Sequence, residues 1–180
     1  MMRILGIDPG SLVTGFGIVD SDGRRSVHVH SGCIRVKGED LVVRLGRIFD
    51  EVSLLVETHR PEVLAIEQVF VSRNPSSALK LGQARGAAIC AGVRAGLPVS
   101  EYSPTSIKQA VVGTGAASKE QVQHMITMIL SLKDAPAADQ ADALAVALCH
   151  AHTQATVSQI PEALQGLAFR SRGSRRRTRR

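Results

Sequence analysis

Two apolar segments of this chain each end in an acid, and this pattern limits the folds that the chain can adopt. Asp8 follows the apolar run 3–7, and Glu67 is the last residue of a second apolar run. An acid at the end of a buried strand needs a strong partner, because a charge in a dry interior loses its hydration. Asp139 and Asp142 lie three residues apart in an alanine-rich segment, so they share one helical face. We therefore expect the four carboxylates to meet in one crevice.

The order of the predicted elements favours a mixed α/β fold. Apolar alternation and turn residues predict strands over residues 3–7, 14–20, 27–36, 63–67 and 99–102, and helical spacing predicts helices over residues 41–60, 77–95, 118–130 and 137–153. The first three strands have short links, as in an antiparallel meander. Each of the two later strands follows a helix and should add in parallel. Ser118 and Gln121 form a capping box for one of the helices. We expect a five-stranded mixed sheet with helices on both faces.

The predicted topology gives the four acids a chemical use. If the fourth strand lies parallel to the first, Asp8 and Glu67 end side by side where the strand order reverses, a place that ligands favour. The last helix must then cross the sheet at this point to add Asp139 and Asp142. Carboxylate oxygens suit hard divalent cations such as Mg²⁺. Two such ions would activate a water and stabilise the leaving oxygen of a phosphodiester, which is nuclease chemistry.

The net charge of +6 is concentrated at the end of the chain. Residues 170–180 hold seven arginines and no acid, which leaves 15 basic and 16 acidic side chains in residues 1–169. The length of 180 residues allows one domain of ordinary size. We predict a single domain over residues 1–169 and a disordered, arginine-rich tail over residues 170–180. The tail either strengthens phosphate binding in a salt-dependent way or is an incidental solubilising extension.

Composition also limits the cellular setting and the metal chemistry. No cationic and apolar leader and no long apolar span is evident, so a cytoplasmic location is expected. The three cysteines, Cys33, Cys90 and Cys149, are widely spaced in apolar stretches and suit reduced core packing. His150 and His152 follow the acidic pair, but His150 lies more than two helical turns beyond Asp142. We therefore expect neither histidine to be a ligand.

Four sequence strings carry a resemblance to a known family. They are Gly-Ile-Asp-Pro-Gly at 6–10, Ala-Ile-Glu-Gln-Val-Phe at 65–70, Leu-Lys-Leu-Gly-Gln-Ala-Arg-Gly at 79–86 and Asp-Gln-Ala-Asp-Ala-Leu at 139–144. In this order and spacing they resemble the RuvC family of bacterial crossover junction endodeoxyribonucleases, which belongs to the ribonuclease H-like superfamily. The resemblance covers about residues 3–155 and leaves the arginine-rich tail outside it.

The resemblance implies an activity, cofactors and partners. It implies a homodimer that binds a four-way Holliday junction and nicks two opposing strands symmetrically during recombination and repair. It implies two Mg²⁺ ions per active site, replaceable by Mn²⁺, on Asp8, Glu67, Asp139 and Asp142, and no nucleotide cofactor. The RuvA-RuvB branch-migration complex is an implied partner, and no membrane association is implied.

The resemblance also assigns residues to DNA. Phe70 matches the aromatic residue that stacks on an unpaired base at the crossover, and Lys108 and Lys119 match catalytically important lysines. Stacking of one base on an aromatic ring contributes about 1 to 3 kcal/mol. A core position for Phe70 is the alternative. The set of candidate DNA contacts is Phe70, Arg73, Lys80, Arg85, Lys108 and Lys119, and scattered solvated cations are the alternative for its basic members.

Other interpretations of these features stay open at this stage. Taken singly, Asp8 could be a turn residue, Glu67 could pair with an arginine, and Asp139 could cap its helix. The small residues of helix 77–95 suit either a dimer interface or close packing on the chain's own sheet. An actin-like ATPase would also place an acid at position 8, but it needs a second similar domain. A junction-binding module without chemistry gives no reason for four acids to converge near a polyanion.

Overall fold

The fold is a five-stranded mixed sheet with helices on both faces. The structure is a computed structural model that describes residues 1–38, 40–69 and 74–158. In these ranges the elements are β1 (Met2–Asp8), β2 (Val13–Ser21), β3 (Ser26–Arg35), α1 (Leu41–His59), β4 (Val63–Glu67), α2 (Pro75–Arg94), β5 (Val99–Tyr102), α3 (Pro104–Val112), α4 (Lys119–Ile129) and α5 (Ala138–Ser158). The sheet has the order β3-β2-β1-β4-β5.

The strand β1 lies at the centre of the sheet, where the chain direction changes. It pairs antiparallel with β2 and parallel with β4, and β5 adds in parallel beyond β4. The parallel register places Ile7 opposite Ile66, so the next residues along each strand, Asp8 and Glu67, end side by side. This arrangement confirms the predicted meander and the parallel additions.

Two hydrophobic layers cover the sheet. One face of the sheet packs against α3, α4 and α5, with Ile4, Ala65, Ile126 and Leu144 among its fully buried side chains. The opposite face packs against α1 and α2 around residues such as Ile48. Because strand residues alternate between faces, Ile7 and Ile66 belong to the second layer, and Asp8 and Glu67 face the first. All of the strand acids in the predicted site therefore point toward α5.

The helix α5 lies in direct backbone contact with the sheet, and three glycines make this contact possible. A Cβ atom on Gly6 would overlap the carbonyl oxygen of Ala143 and lie 2.7 Å from the backbone nitrogen of Ala147. A Cβ on Gly15 would overlap the carbonyl oxygen of Asp139, and one on Gly17 would lie 2.7 Å from a methyl carbon of Leu144. No L side chain fits at these crossings. The predicted crossing of the last helix over the strand ends is confirmed.

Most predicted boundaries agree with the structure to within two residues, but one boundary differs more and one helix was not predicted. The helix 104–112 was not predicted, although Ser103 caps it, Pro104 opens it and Gly113 ends it with a positive φ of 83°. The last helix reaches Ser158 rather than residue 153, because no glycine or proline interrupts it. The capping box of Ser118 and Gln121 is present at α4. The predicted tail, 170–180, lies outside the described residues.

None of the helices in ranges 1–38, 40–69 and 74–158 combines the length and apolar character that crossing a bilayer requires.

The glycine contact under α5 gives a prediction for stability. Gly6→Ala should force α5 away from β1 and lower the free energy of unfolding by about 2 to 4 kcal/mol, measured by chemical denaturation. Gly46→Ala is the matched control, because a Cβ at this α1 position meets nothing within 4 Å. It should be neutral or stabilising by about 0.5 to 1 kcal/mol. Equal effects of the two substitutions would contradict the tight crossing.

Candidate active site

The turn that follows β1 is held by its own side chains. Thr14 is fully buried, its hydroxyl donates to the carbonyl oxygen of Gly10 at 2.9 Å, and the Gly10 N–H donates to Thr14 Oγ1 at 3.3 Å. A Cβ on Gly10 would overlap the carbonyl oxygen of Val13, so a glycine is required in this tight turn. The turn directs the chain from β1 back into β2 and leaves Asp8 at the strand end.

All four predicted acids line one cavity with the two predicted lysines. The cavity has a volume of about 340 Å³, and its lining consists of Asp8, Glu67, Pro104, Ile107, Lys108, Lys119, Val122, Asp139, Asp142 and Ala145. The acids come from the ends of β1 and β4 and from the first two turns of α5. Lys108 comes from α3, and Lys119 is the first residue of α4. The joint arrangement favours a site over the separate structural roles of the acids.

Crowding and burial change the protonation of the strand acids. Burial, together with the charges of Glu67, Asp142 and Asp139, raises the pKa of Asp8 to about 8. Burial also raises the pKa of Glu67, and a hydrogen bond from the protonated Asp8, together with Lys119 and Lys108, opposes that rise. Without a cation the pair therefore holds a proton near neutral pH. Such a pair gains from a bound cation, because the cation replaces the proton and neutralises both groups.

An ion pair joins the helix acids to the basic side of the cavity. Lys119 Nζ donates to Asp142 Oδ2 at 3.1 Å. This bond raises the pKa of Lys119. The lysine is 75% exposed, so the pair is screened by water and the ammonium is free to turn toward a ligand.

The donor set fits a hard divalent cation, although the carboxylates surround the cavity rather than converge on a point. Within the part of the chain that the structure describes, no three His, Cys, Asp or Glu side chains are close enough together to hold an ion. A bound divalent cation would attract the four carboxylates toward one point. The set consists of carboxylates alone, which suits Mg²⁺ or Mn²⁺ better than softer metals.

The remaining predicted DNA contacts have different positions. Phe70 and Arg73 lie outside the described residues. Lys80 is exposed on α2 and does not line the cavity. Arg85 lies on the α2 side of the sheet, where Nε donates to the carbonyl oxygen of Glu67 at 3.0 Å. Its guanidinium also pairs with Glu101. The sequence left open a pair between Glu67 and an arginine. In the structure an arginine does bind Glu67, but it binds the main-chain carbonyl and not the carboxylate.

Sequence reasoning missed a hydrogen-bonded support at the start of α5. Gln140 lies between the two helix acids, and its Oε1 accepts from the Ala137 N–H at 3.2 Å. Its Nε2 donates to Ser31 Oγ at 2.7 Å, which ties the first turn of α5 to β3. The spacing of Ala137 and Gln140 resembles a capping box and could have signalled this role. His150 is 1% exposed and bonds through Nδ1 to the hydroxyl of Tyr102 at 2.9 Å, as expected for a histidine that is not a ligand.

Comparison with solved structures first identifies the fold. The yeast mitochondrial Holliday junction resolvase Ydc2 matches with a TM-score of 0.66 and 14% identity over 94% of this chain and 84% of that chain. At this identity the likeness concerns the fold alone. The five-stranded mixed sheet with helices on both faces is therefore a fold that this chain shares with that protein.

Sequence comparison then gives the family. The family model described as crossover junction endodeoxyribonuclease RuvC matches residues 4–150. The protein of that name from Tolumonas auensis is 54% identical over 168 residues, which cover 93% of this chain and 97% of that relative. The structure of Thermus thermophilus RuvC in complex with Holliday junction substrate matches with a TM-score of 0.82 and 38% identity over 87% of this chain and 96% of that chain. The chain belongs to the RuvC family, and the resemblance noted in the sequence is confirmed.

The protonated acid pair gives a prediction for stability without metal. A raised carboxyl pKa in the folded state means that stability is present at low pH and is lost as pH rises through the folded pKa. Asp8→Asn should therefore raise the melting temperature in EDTA at pH 8 by roughly 4 to 8 °C, corresponding to about 2 kcal/mol, and have less effect at pH 4.

The control for this prediction is Asp50→Asn, which changes an exposed carboxylate on α1 and should shift the melting temperature little. Added Mg²⁺ should stabilise the unsubstituted protein more than Asp8→Asn. A lower melting temperature for Asp8→Asn in EDTA at pH 8 would contradict the crowded-acid description.

Proposed function

We propose that this chain is a divalent-metal-dependent endonuclease that resolves four-way Holliday junctions by symmetric nicking of two opposing strands. The observation that carries the proposal is the common cavity of Asp8, Glu67, Asp139 and Asp142, with two lysines on its rim. The relative from Thermus thermophilus was solved with a Holliday junction and shares this fold. A cleft that holds acids beside lysines suits a polyanionic substrate, because metal ions would lie between the acids and the negative charges of the substrate.

The four acids would hold two Mg²⁺ ions, for which Mn²⁺ can substitute. Such ions, when bound, supply an activated water and charge stabilisation at the scissile phosphate. Asp8 and Glu67 come from the rigid strand ends, whereas Asp139 and Asp142 come from a helix fixed to the sheet by backbone contact. The chain's own contribution is therefore a preorganised ligand frame, which lowers the reorganisation needed during the reaction.

Lys108 and Lys119 would bind the DNA backbone next to the scissile bond. Both line the cavity, and Lys119 opens α4, where the helix dipole favours an anion. In the free protein Lys119 bonds to Asp142, and a cation on Asp142 would release it toward a phosphate oxygen. We assign Lys119 a catalytic role and Lys108, from α3, a similar one.

Phe70, Arg73 and Lys80 are proposed to bind DNA outside the cavity. Phe70 is three residues beyond Glu67, so a base stacked on it would lie near the nicked strand. Lys80 is an exposed cation on α2 and could bind a phosphate outside the cavity. The arginine-rich segment 170–180 is proposed as a separate tail beyond a single domain, and it would add salt-dependent backbone contacts.

A homodimer is proposed because symmetric nicking needs two active sites at a fixed separation. The small residues of α2 lie on two different faces of the helix. Ala84, Ala88 and Gly92 are buried against the chain's own sheet. Leu79 and Val93 are exposed, at 65% and 58%, and lie along a surface stripe with Gly82 and Gly86, where an added Cβ meets nothing within 4 Å. This stripe allows a second helix to approach closely.

The cellular role follows from the family. Holliday junctions arise in recombination and repair of chromosomal DNA, so we propose a cytoplasmic enzyme that acts with the RuvA-RuvB branch-migration complex. Neither the location nor this partnership is needed for the chemistry described above.

The direct test is strand cleavage of an end-labelled synthetic four-way junction and a matching linear duplex in Mg²⁺. The unsubstituted chain should produce paired symmetric nicks in the junction alone. Asp8→Asn should lower the rate by about 10³-fold or more while junction binding persists, because it removes a metal ligand. Asp50→Asn is the control and should cleave normally.

Two outcomes of this experiment would change the proposal. Junction binding without nicks by the unsubstituted chain would favour a binding module without chemistry. Nicks at single, unpaired positions, with only monomer seen by sedimentation at the same concentration, would exclude the dimer.

The role of Lys119 can be separated from simple DNA binding. Lys119→Ala should lower the cleavage rate by about 10- to 100-fold and change junction affinity by less than about 3-fold, because its charge acts on the developing negative charge of the reaction. Lys133→Ala, which changes an exposed lysine outside the cavity, should leave both quantities near their original values. Equal losses of cleavage and affinity for Lys119→Ala would make this residue a plain phosphate contact.

A further inference from the structure

The carbonyl group of Glu67 lies where the β-sheet hydrogen-bond ladder ends. The Leu64 N–H donates to the Pro98 carbonyl, so even-numbered residues of β4 direct their backbone groups toward β5. Glu67 is odd-numbered, and its carbonyl is directed toward β1. Continuing the register of Ile7 opposite Ile66, the donor for this carbonyl would be the residue at position 9. That residue is Pro9, which has no N–H.

Arg85 supplies the missing donor. Its Nε donates to the Glu67 carbonyl oxygen at 3.0 Å, from a helix that covers the face of the sheet opposite to α5. Its Nη2 lies 2.7 Å from Glu101 Oε2, and the arginine side chain is only 19% exposed. Glu101 pairs in register with Ile66 on the neighbouring strand, so the guanidinium bridges the ends of β4 and β5.

We propose that Arg85 is a positioning residue for the metal-binding Glu67, and that it is not a contact to DNA. This inference rests on the proposed function, because Glu67 is taken there as a ligand. The Glu67 side chain faces α5 and the cavity, whereas Arg85 holds the same residue by its main chain from the other face. Arg85 thus determines the position of the Glu67 carboxylate without contacting it.

The position of Glu67 in the chain makes such a support necessary. One residue later, the Gln68 N–H still donates to the Tyr102 carbonyl at 2.8 Å, and the sheet ends there. A carboxylate ligand on a strand end that frays would sample positions too far from the other acids. Partners that orient metal ligands typically change metal affinity by about 10- to 100-fold when they are removed. Arg85 would act on metal affinity in this way.

The test compares Arg85→Gln and Arg85→Lys with the unsubstituted chain in two Mg²⁺ titrations. One titration follows junction cleavage, and the other follows the rise in melting temperature without DNA. We expect Arg85→Gln to raise the Mg²⁺ concentration at half effect by about 10-fold in both titrations. Arg85→Lys should give a smaller shift, because its single ammonium can reach the carbonyl or Glu101 but lacks the fork that serves both. Junction affinity in EDTA should stay within about 2-fold.

Two further variants serve as controls. Arg94→Gln changes an exposed arginine at the end of the same helix, and it should leave both Mg²⁺ midpoints unchanged. Glu101→Gln removes the carboxylate of the ion pair and leaves the Arg85 bond to Glu67 available, so it should shift the midpoints less than Arg85→Gln. If Arg85→Gln does not fold, the comparison of Arg85→Lys with Glu101→Gln decides the question in the same way.

Two results would overturn the inference. A large loss of junction affinity in EDTA with unchanged Mg²⁺ midpoints would make Arg85 a DNA contact, as the sequence alone suggested. Unchanged midpoints with unchanged affinity would make it a structural residue only. Failure of the unsubstituted chain to cleave junctions would count against the proposed function, while the melting titration would still test the effect of Arg85 on metal binding.

Discussion

The contact of α5 with the central strands is the constraint on which the site depends. Gly6, Gly15 and Gly17 remove the side chains that would otherwise hold the helix away from the sheet. The helix therefore crosses β1 and β2 at backbone distance, and its first two turns reach the ends of β1 and β4. Asp139 and Asp142 enter the same cavity as the strand acids only because of this approach. A sheet covered by an ordinary layer of side chains would keep the helix acids several ångströms farther away.

This contact also brings like charges together, and the raised pKa of Asp8 shows that their proximity is unfavourable. A pKa of about 8 for Asp8 means that the folded chain accepts an unfavourable carboxylate arrangement which the unfolded chain avoids. The rest of the fold must supply the stability that this arrangement removes. Nine buried apolar residues of α5 between Ala141 and Ala151, including Leu144 and Leu148, provide an extensive apolar anchor directly behind the acids. A candidate site that opposes folding is thus held by α5, which has more buried residues than any other helix in the described ranges.

Local patterns were enough to predict the strands of the sheet and the meeting of the four acids in one cavity. The apolar runs of the strands and the positions of the acids within them can be recognised directly in the sequence. The strand Val63–Glu67 was predicted with the bounds that the structure has, since a short uninterrupted apolar run that ends in an acid is typical of a buried strand. The helix at 104–112 was missed, although its Ser103, Pro104 and Gly113 were readable signals, because it contributes only a short apolar pattern. The role of Gln140 depends on its contact with Ser31, more than a hundred residues away. Such long-range contacts do not follow from spacing along the chain.

The contacts of Arg85 show why residue type alone was insufficient at the site. A basic residue in a predicted nucleic-acid enzyme suggests a phosphate contact, and charge counting cannot distinguish that role from an internal one. The distinction comes from the sheet register, which leaves the carbonyl of Glu67 opposite a proline. A strand residue can accept a hydrogen bond at its backbone carbonyl from a helix on one face of the sheet, while its side chain acts on the opposite face. The two helical layers can therefore have different tasks at one residue: α5 completes the cavity, and α2 holds the strand end that supplies Glu67 to it.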